Sequence, residues 1–247
     1  MPDPLLLAAL FFAAAVLYSS VGHAGASAYL AAMAVLGVPP TVARPTALAL
    51  NILVASLVVL RYWRSGLVSL RAIAPFLIGS IPFAFLGGAI TLPSDIYKPL
   101  LGAVLLVAAA QFARTASRVA KEEPSIPQVP ALPAIVAGAV IGLLSGLTGT
   151  GGGIFLTPLL LFAGWSATRP ASGISAGFIL ANSIAGLAGN AASVGSIPAD
   201  LPLWAGAVLV GALIGSELGR RRAPTPQLRL ALAGVLLIAG LKLIFVG

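Results

Sequence analysis

Charged residues cut this sequence into long apolar stretches. Six of them have the length of one membrane crossing: residues 45–62, 72–91, 97–114, 170–190, 201–219 and 228–246. About 20 apolar residues cross a bilayer as a helix. Two further charge-free stretches, Pro4–Ala43 and Pro124–Thr168, are too long for one helix. Each divides into two apolar pieces, 5–17 with 26–36 and 132–147 with 152–163, around a glycine-rich joint. Short apolar pieces of this kind mark broken or re-entrant helices. No alternating barrel pattern is visible and open backbone cannot face lipid, so every spanning element is predicted helical.

The polar, proline-rich segment "VAKEEPSIPQVP" (Val119–Pro130) separates two halves. The expected organisation is a first repeat at 1–118, a cytoplasmic linker at 119–130 and a second repeat at 131–247. "SSVGHAGASAYLAAMAVLG" (Ser19–Gly37) lies over "SGLTGTGGGIFLTPLLLFAG" (Ser145–Gly164). "ARPT" (Ala43–Thr46) lies over "TRPA" (Thr168–Ala171), and Phe76–Ile90 over Trp204–Leu218. The offset stays at about 125 to 128 residues, as an internal duplication would leave it.

Composition agrees with a membrane setting. Hydrophobic residues make up 59% of the chain and charged residues 8%, against about 25% charged in soluble domains. The chain is read as an all-α polytopic membrane protein. Its net charge of +8 forms no basic stripe interleaved with exposed aromatics, so no nucleic-acid partner is expected. The absence of cysteine excludes disulfides and thiolate metal sites. No Lys or Arg precedes Arg44, so residues 5–17 lack the positive flank of a signal peptide and are read as part of the mature chain.

The basic residues select a topology. If each divided stretch crossed the membrane once, the fourteen Lys and Arg would split evenly. If each is a hairpin that enters and leaves on one side, eleven share a face: Arg61, Arg64, Arg71, Arg114, Arg118, Lys121, Arg169, Arg220, Arg221, Arg222 and Arg229. Only Arg44, Lys98 and Lys242 take the other. Positive residues favour the cytoplasm, so the hairpin arrangement is expected, with both termini outside, in the inner membrane. Matching loops also differ in charge: Arg61–Arg71 is basic while Ile197–Asp200 is not. This predicts two inverted repeats, each a broken hairpin plus three spans, the plan of many secondary transporters.

The joint "GLTGTGGG" (Gly146–Gly153) holds five glycines and two threonines in eight residues. A helix break inside a membrane survives only where it is buried or lines a cavity. There it aims backbone N–H groups and a partial positive charge at whatever enters. The candidate anion-binding groups are therefore Gly22, His23, Gly25 and Ser27 in the first half. In the second they are Thr148, Gly149, Thr150, Gly151, Gly152 and Gly153. Arg44 and Arg169 each precede a proline, at an expected helix start, and either attract an anion or snorkel at the interface. Asn51 and Asn182 lie within predicted spans and either bind ligand or cross-link helices. His23, the only histidine, is a candidate for proton coupling. Gly79, Gly87, Gly88, Gly211 and Gly215 fit helix packing instead. No Asp or Glu lies mid-span, and neither a metal nor a cofactor is expected.

"GLTGTGGGIFLTPLLL" (Gly146–Leu161) resembles the second-half motif of the TauE/SafE sulfite exporter family, also called the 4-toluene sulfonate uptake permease family. "SSVGHAGASAYLAAM" (Ser19–Met33) resembles the first-half motif of one branch, departing from the glycine-richer form at Ala24 and Ala26. The resemblance implies a bacterial inner-membrane carrier for sulfur-containing anions such as sulfite or organosulfonates. It puts weight on Gly22, His23, Gly25, Thr148, Gly149, Gly151, Gly152 and Gly153. The residues themselves point only to a small oxyanion. An ion channel with a Gly/Thr-lined filter, or a carrier for a non-sulfur anion, are the alternatives. An enzyme is not expected, since no HExxH, GxSxG or paired mid-span carboxylates occur.

Overall fold

The computed structural model describes residues 2–20, 22–116, 128–191, 197–221 and 226–245. Among them are ten helices: α1 (Pro4–Ser20), α2 (Ala26–Val35), α3 (Pro40–Arg64), α4 (Leu70–Ala89), α5 (Ser94–Ala116), α6 (Ala131–Thr148), α7 (Gly153–Phe162), α8 (Thr168–Gly189), α9 (Leu201–Arg221) and α10 (Pro226–Phe245). The expected single spans are α3, α4, α5, α8, α9 and α10. The two divided stretches are α1 with α2 and α6 with α7. Of the expected linker, residues 119–127 lie outside the described residues, as do Arg118, Lys121 and Arg222.

The divided stretches differ from expectation in proportion. Their first arms are long, 17 residues in α1 and 18 in α6, or roughly 26 and 27 Å at 1.5 Å per residue. α6 alone has the length and apolar content to cross a membrane. The second arms, α2 and α7, have 10 residues each, roughly 15 Å. The long arms run on through polar residues to Ser20 and Thr148, whose hydroxyls are satisfied by carbonyls of the preceding turn. Ser20 Oγ donates to Leu17 O at 2.7 Å and Thr148 Oγ1 to Leu144 O at 2.7 Å.

α3 also starts earlier than the Arg-Pro pair suggested. Pro40 takes the first helical position, and Val42 and Ala43 already donate to Pro39 O. Arg44 and Pro45 thus sit inside the helix, with a turn formed ahead of them.

Glycines let the helices meet backbone to backbone. Gly79 and Gly87 of α4 press on the carbonyls of Ile135 and Leu143 in α6, while Gly138, Gly142 and Gly146 of α6 press on those of Phe76, Ser80 and Ala84. The rising register on both sides makes α4 and α6 parallel. Gly211 and Gly215 of α9 meet Phe12 and Val16 of α1 in the same parallel sense. Gly173, Gly177 and Gly189 of α8 meet Leu67, Ile73 and Phe85, so α4 and α8 are also parallel. α5 and α10 are antiparallel, with Gly102 against Ile244 and Leu106 against Gly240. A side chain at most of these glycines would overlap a carbonyl oxygen, which explains their number.

These directions discriminate between the two topologies. A single crossing by each divided stretch would make α4 and α8 antiparallel; they are parallel, as the hairpin arrangement requires. One face, here the basic face, therefore gathers the C-terminal ends of α3, α5 and α9 and the N-terminal ends of α4, α6, α8 and α10. Arg61, Arg64, Arg71, Arg114 and Arg229 stand at those ends, and Arg44, Lys98 and Lys242 near the opposite one. Exchanging the halves turns the α1–α9 contact into α4–α6 and leaves α5–α10 and α3–α8 unchanged, while α4–α8 corresponds to a smaller contact of α3 with α9.

Candidate functional site

Each break is built from left-handed glycines. Gly22 and Gly25 have φ of 81° and 103°; Gly149, Gly151 and Gly152 have φ of 84°, 77° and 79°. L side chains strongly disfavour that region. Shifted by 127 residues, Gly22 falls on Gly149 and Gly25 on Gly152. Gly25 and Gly152 are the N-caps of α2 and α7. The departures at Ala24 and Ala26 become intelligible. Ala26 opens α2, as Gly153 opens α7, and needs no glycine conformation. Among the described residues, no residue other than glycine has positive φ, so the two breaks differ in backbone at Ala24 and its counterpart Gly151.

The two breaks meet around Asn51, eleven residues after the start of α3 and thirteen before its end. At the start of α2, Ala26 N donates to Asn51 Oδ1 at 3.3 Å. Asn51 Nδ2 in turn donates to Ser183 Oγ of α8 at 2.8 Å. Gly151 lies so close to Asn51 Nδ2 that a Cβ would overlap it. At the start of α7, Phe155 and Leu156 are the first residues to donate to Gly152 O. The N–H groups of Gly153 and Ile154 precede them, in the positions a helix N-terminus leaves for a ligand.

His23 crosses from the first break to the second half. Its ring lies 3.7 Å from a Cβ placed on Gly153 and 6.2 Å, centroid to centroid, from Phe112. Its Nε2 is 3.1 Å from Thr157 Oγ1, which donates to Ser175 Oγ at 2.7 Å. A hydroxyl has one proton to give. With it directed to Ser175, Thr157 is left as an acceptor toward His23 Nε2, which suits the tautomer that carries a proton there.

Several expected ligand groups are engaged elsewhere. Thr148 gives its proton to Leu144 O, so the 3.0 Å contact between the threonines makes Thr150 the donor to Thr148. Ser27 donates to Tyr18 Oη at 2.9 Å. Asn182 donates to Phe178 O at 2.9 Å and leaves its buried Oδ1, an acceptor, without a partner. Arg44 is buried rather than snorkelling: it donates to Ile90 O and Gly87 O at 2.8 and 2.9 Å and closely to Gly88 O, closing the end of α4. Arg169 stands in the first turn of α8, and its side chain lies outside the described residues.

Sequence reading missed Ser175, Ser183, Thr157 and Tyr97. Ser172, Ser175 and Ser183 fall on one helical face, a stripe that was there to be read. Tyr97, whose hydroxyl donates to Thr148 O at 2.9 Å, carried no such signal, because only the fold brings α5 to the end of α6.

Access is unequal on the two faces. A cavity of about 550 Å³ opens on the basic face and reaches Ser19 and Ser20, beside the first break. A second, of about 330 Å³, opens on the opposite face between Lys98 and Lys242, and none of its lining residues belongs to either break. Tyr97 lines it and stands between it and Thr148.

The sequence matches the family described as "Sulfite exporter TauE/SafE" over residues 6–243. It is 43% identical over 240 residues to the "Probable membrane transporter protein y4hK" of Sinorhizobium fredii, covering 97% of each chain. It is 31% identical over 262 residues to the "Probable membrane transporter protein YjnA" of Bacillus subtilis, covering 99% of this chain and 100% of that one. A third relative, the "Probable membrane transporter protein MJ0441" of Methanocaldococcus jannaschii, is 30% identical over 181 residues, 66% of this chain and 63% of its own. No solved structure matches the chain.

Proposed function

The chain belongs to the sulfite exporter TauE/SafE family, and from that premise we propose that it is a secondary carrier of small sulfur-containing anions working by alternating access. It is a multi-pass membrane transporter and not an enzyme. The proposed substrate is sulfite, a sulfonate or a related oxyanion, carried across the bacterial inner membrane with both termini outside the cytoplasm.

One observation carries the reading: the N-terminal ends of α2 and α7, one from each half, converge mid-protein at Asn51, Ser183 and His23. Two half-helix N-termini, with Asn51, Ser183 and His23 beside them, form a polar site suited to an anion. Gly153 and Ile154 N–H, Asn51, Ser183 and His23 are the proposed contacts. Gly22, Gly25, Gly149, Gly151 and Gly152 shape the backbone, and Thr148 and Thr150 brace it. The opposite directions of α3 and α8, and the exchange symmetry of the helix contacts, support two inverted repeats at 1–118 and 131–247. The wide cavity on one face favours a carrier over a channel, because a channel needs both sides open at once.

His23 is the proposed proton-coupling group. Uptake of labelled sulfite into proteoliposomes tests this and the substrate class together. The wild type should show saturable uptake that changes with pH near neutrality. His23→Gln keeps a donor for Thr157 and should retain uptake with a flattened pH profile. An unchanged profile would make His23 structural; no saturable uptake of any sulfur oxyanion would remove the substrate assignment.

A further inference from the structure

The cavity on the basic face has a composition of its own. Its described lining residues include Arg61, Arg64, Ser19 and Tyr62, with Glu217 as the one carboxylate among them. Arg61 is held in place by α9: its Nη1 lies against Ser216 Oγ and 3.5 Å from Leu213 O. Arg64 is exposed and makes no hydrogen bond or ion pair with any described residue. Ser19 is buried, and its Oγ has no partner. An unpaired buried hydroxyl costs free energy unless something fills the position.

The cavity lies at the C-terminal ends of α1, α3 and α9, whose partial negative charge Arg61 and Arg64 stand against. The carbonyls of Leu17, Tyr18 and Ser19 already accept from Ser20 Oγ, His23 N and Gly22 N. Beyond Ser19, the Tyr62 hydroxyl rests on Gly22, with a Cβ at that glycine 2.7 Å from the oxygen. Tyr62 thus separates the cavity from the first break.

We propose that this cavity is a second anion-binding site, an antechamber where Arg61, Arg64 and Ser19 hold a small oxyanion before it passes Tyr62. The proposal rests on the carrier reading for the anion's onward passage, but not for its capture. Arginine suits the task, since its planar donors pair with the oxygens of sulfonate-type and carboxylate groups alike. Ser19, buried and with its Oγ unpartnered, supplies a hydroxyl donor at the cavity wall. Glu217, the carboxylate among the described lining residues, limits how tightly an anion is retained.

The chain has no cysteine, so a single reporter thiol can be placed at Ser65, which lines the cavity. Labelling of Ser65→Cys by a membrane-impermeant maleimide is compared in methanesulfonate, in sulfate and in chloride at equal ionic strength. The two oxyanions should slow labelling several-fold relative to chloride. Adding Arg64→Gln should abolish most of that protection, and Arg64→Gln alone should raise KM about tenfold for transport from the basic face while leaving KM from the opposite face unchanged. Arg64 bonds to no described residue, so the substitution leaves the fold intact; Arg61→Gln, which can still reach Ser216, is the second variant. Labelling indifferent to the anion, or a KM raised equally on both faces, would overturn the antechamber. Protection is a binding readout, so it survives if wild-type transport of sulfur anions fails, and the two ideas fail separately.

Discussion

Gly151→Ala should reduce transport by at least about 100-fold while the protein still inserts and folds. Two effects act at this position. The residue has φ of 77°, which costs an L side chain roughly 1–2 kcal/mol. The new methyl would also overlap Asn51 Nδ2 and lie 3.1 Å from Ser183 Oγ. Asn51 would have to withdraw, releasing both Ala26 N and Ser183 Oγ. The two half-helix ends would then lose their common partner. A misplacement of about 1 Å at a reacting or binding centre can cost about 100-fold. Gly164→Ala is the control: its φ is 69° but a Cβ there meets nothing within 4 Å. It carries the strain without the collision and should transport normally. Normal transport by both variants would show that the Asn51 contact at position 151 does not govern transport.

Arg44→Leu should lower the thermal midpoint by roughly 10 °C. The guanidinium closes the last turn of α4 through Gly87, Gly88 and Ile90 carbonyls. Helix C-termini leave such carbonyls without intrahelical donors. Hydrogen bonds to a charged group contribute about 1.5–3 kcal/mol each, so losing the set costs at least about 3 kcal/mol. Each kcal/mol moves the midpoint by roughly 2–4 °C at this chain length. Arg44→Lys keeps the charge but offers one point of attachment, and should recover only part of the loss. A midpoint within about 2 °C of wild type for Arg44→Leu would return Arg44 to a role toward the anion.

The two Arg-Pro pairs illustrate how far sequence alone carries. They suggested two helix starts, yet Arg44 lies inside α3 because Pro39 and Pro40 start that helix earlier, while Arg169 does stand in the first turn of α8. The divided stretches were legible because glycine runs interrupt apolar ones, and the charge bias favoured the arrangement that the parallel α4–α8 pair requires. The lengths of α1 and α6 were not, since Tyr18-Ser19-Ser20 and Thr148 look like the end of an apolar run, yet the helices continue through them. Of the candidate site, the glycines, His23 and Asn51 were readable as breaks and buried polar groups. Their partners Thr157, Ser175 and Ser183 depend on which face of α8 turns inward, and Tyr97 on which helix packs beside α6. The threonine hydroxyls read as ligand donors are spent within the second break.

The most direct measurement is thermal stabilisation of the purified protein by a panel of anions, presented as sodium and as potassium salts. Sulfite, thiosulfate, sulfate, sulfoacetate, taurine and acetate cover the chemistry. A ligand that binds the native state raises its stability, by about 2.7 kcal/mol at a hundred times its Kd. The account predicts a shift that tracks sulfur oxyanions, is the same for either cation, and falls in Gly151→Ala to what the antechamber alone supplies. A shift that follows the cation and ignores the anion would contradict an anion site at the paired helix breaks.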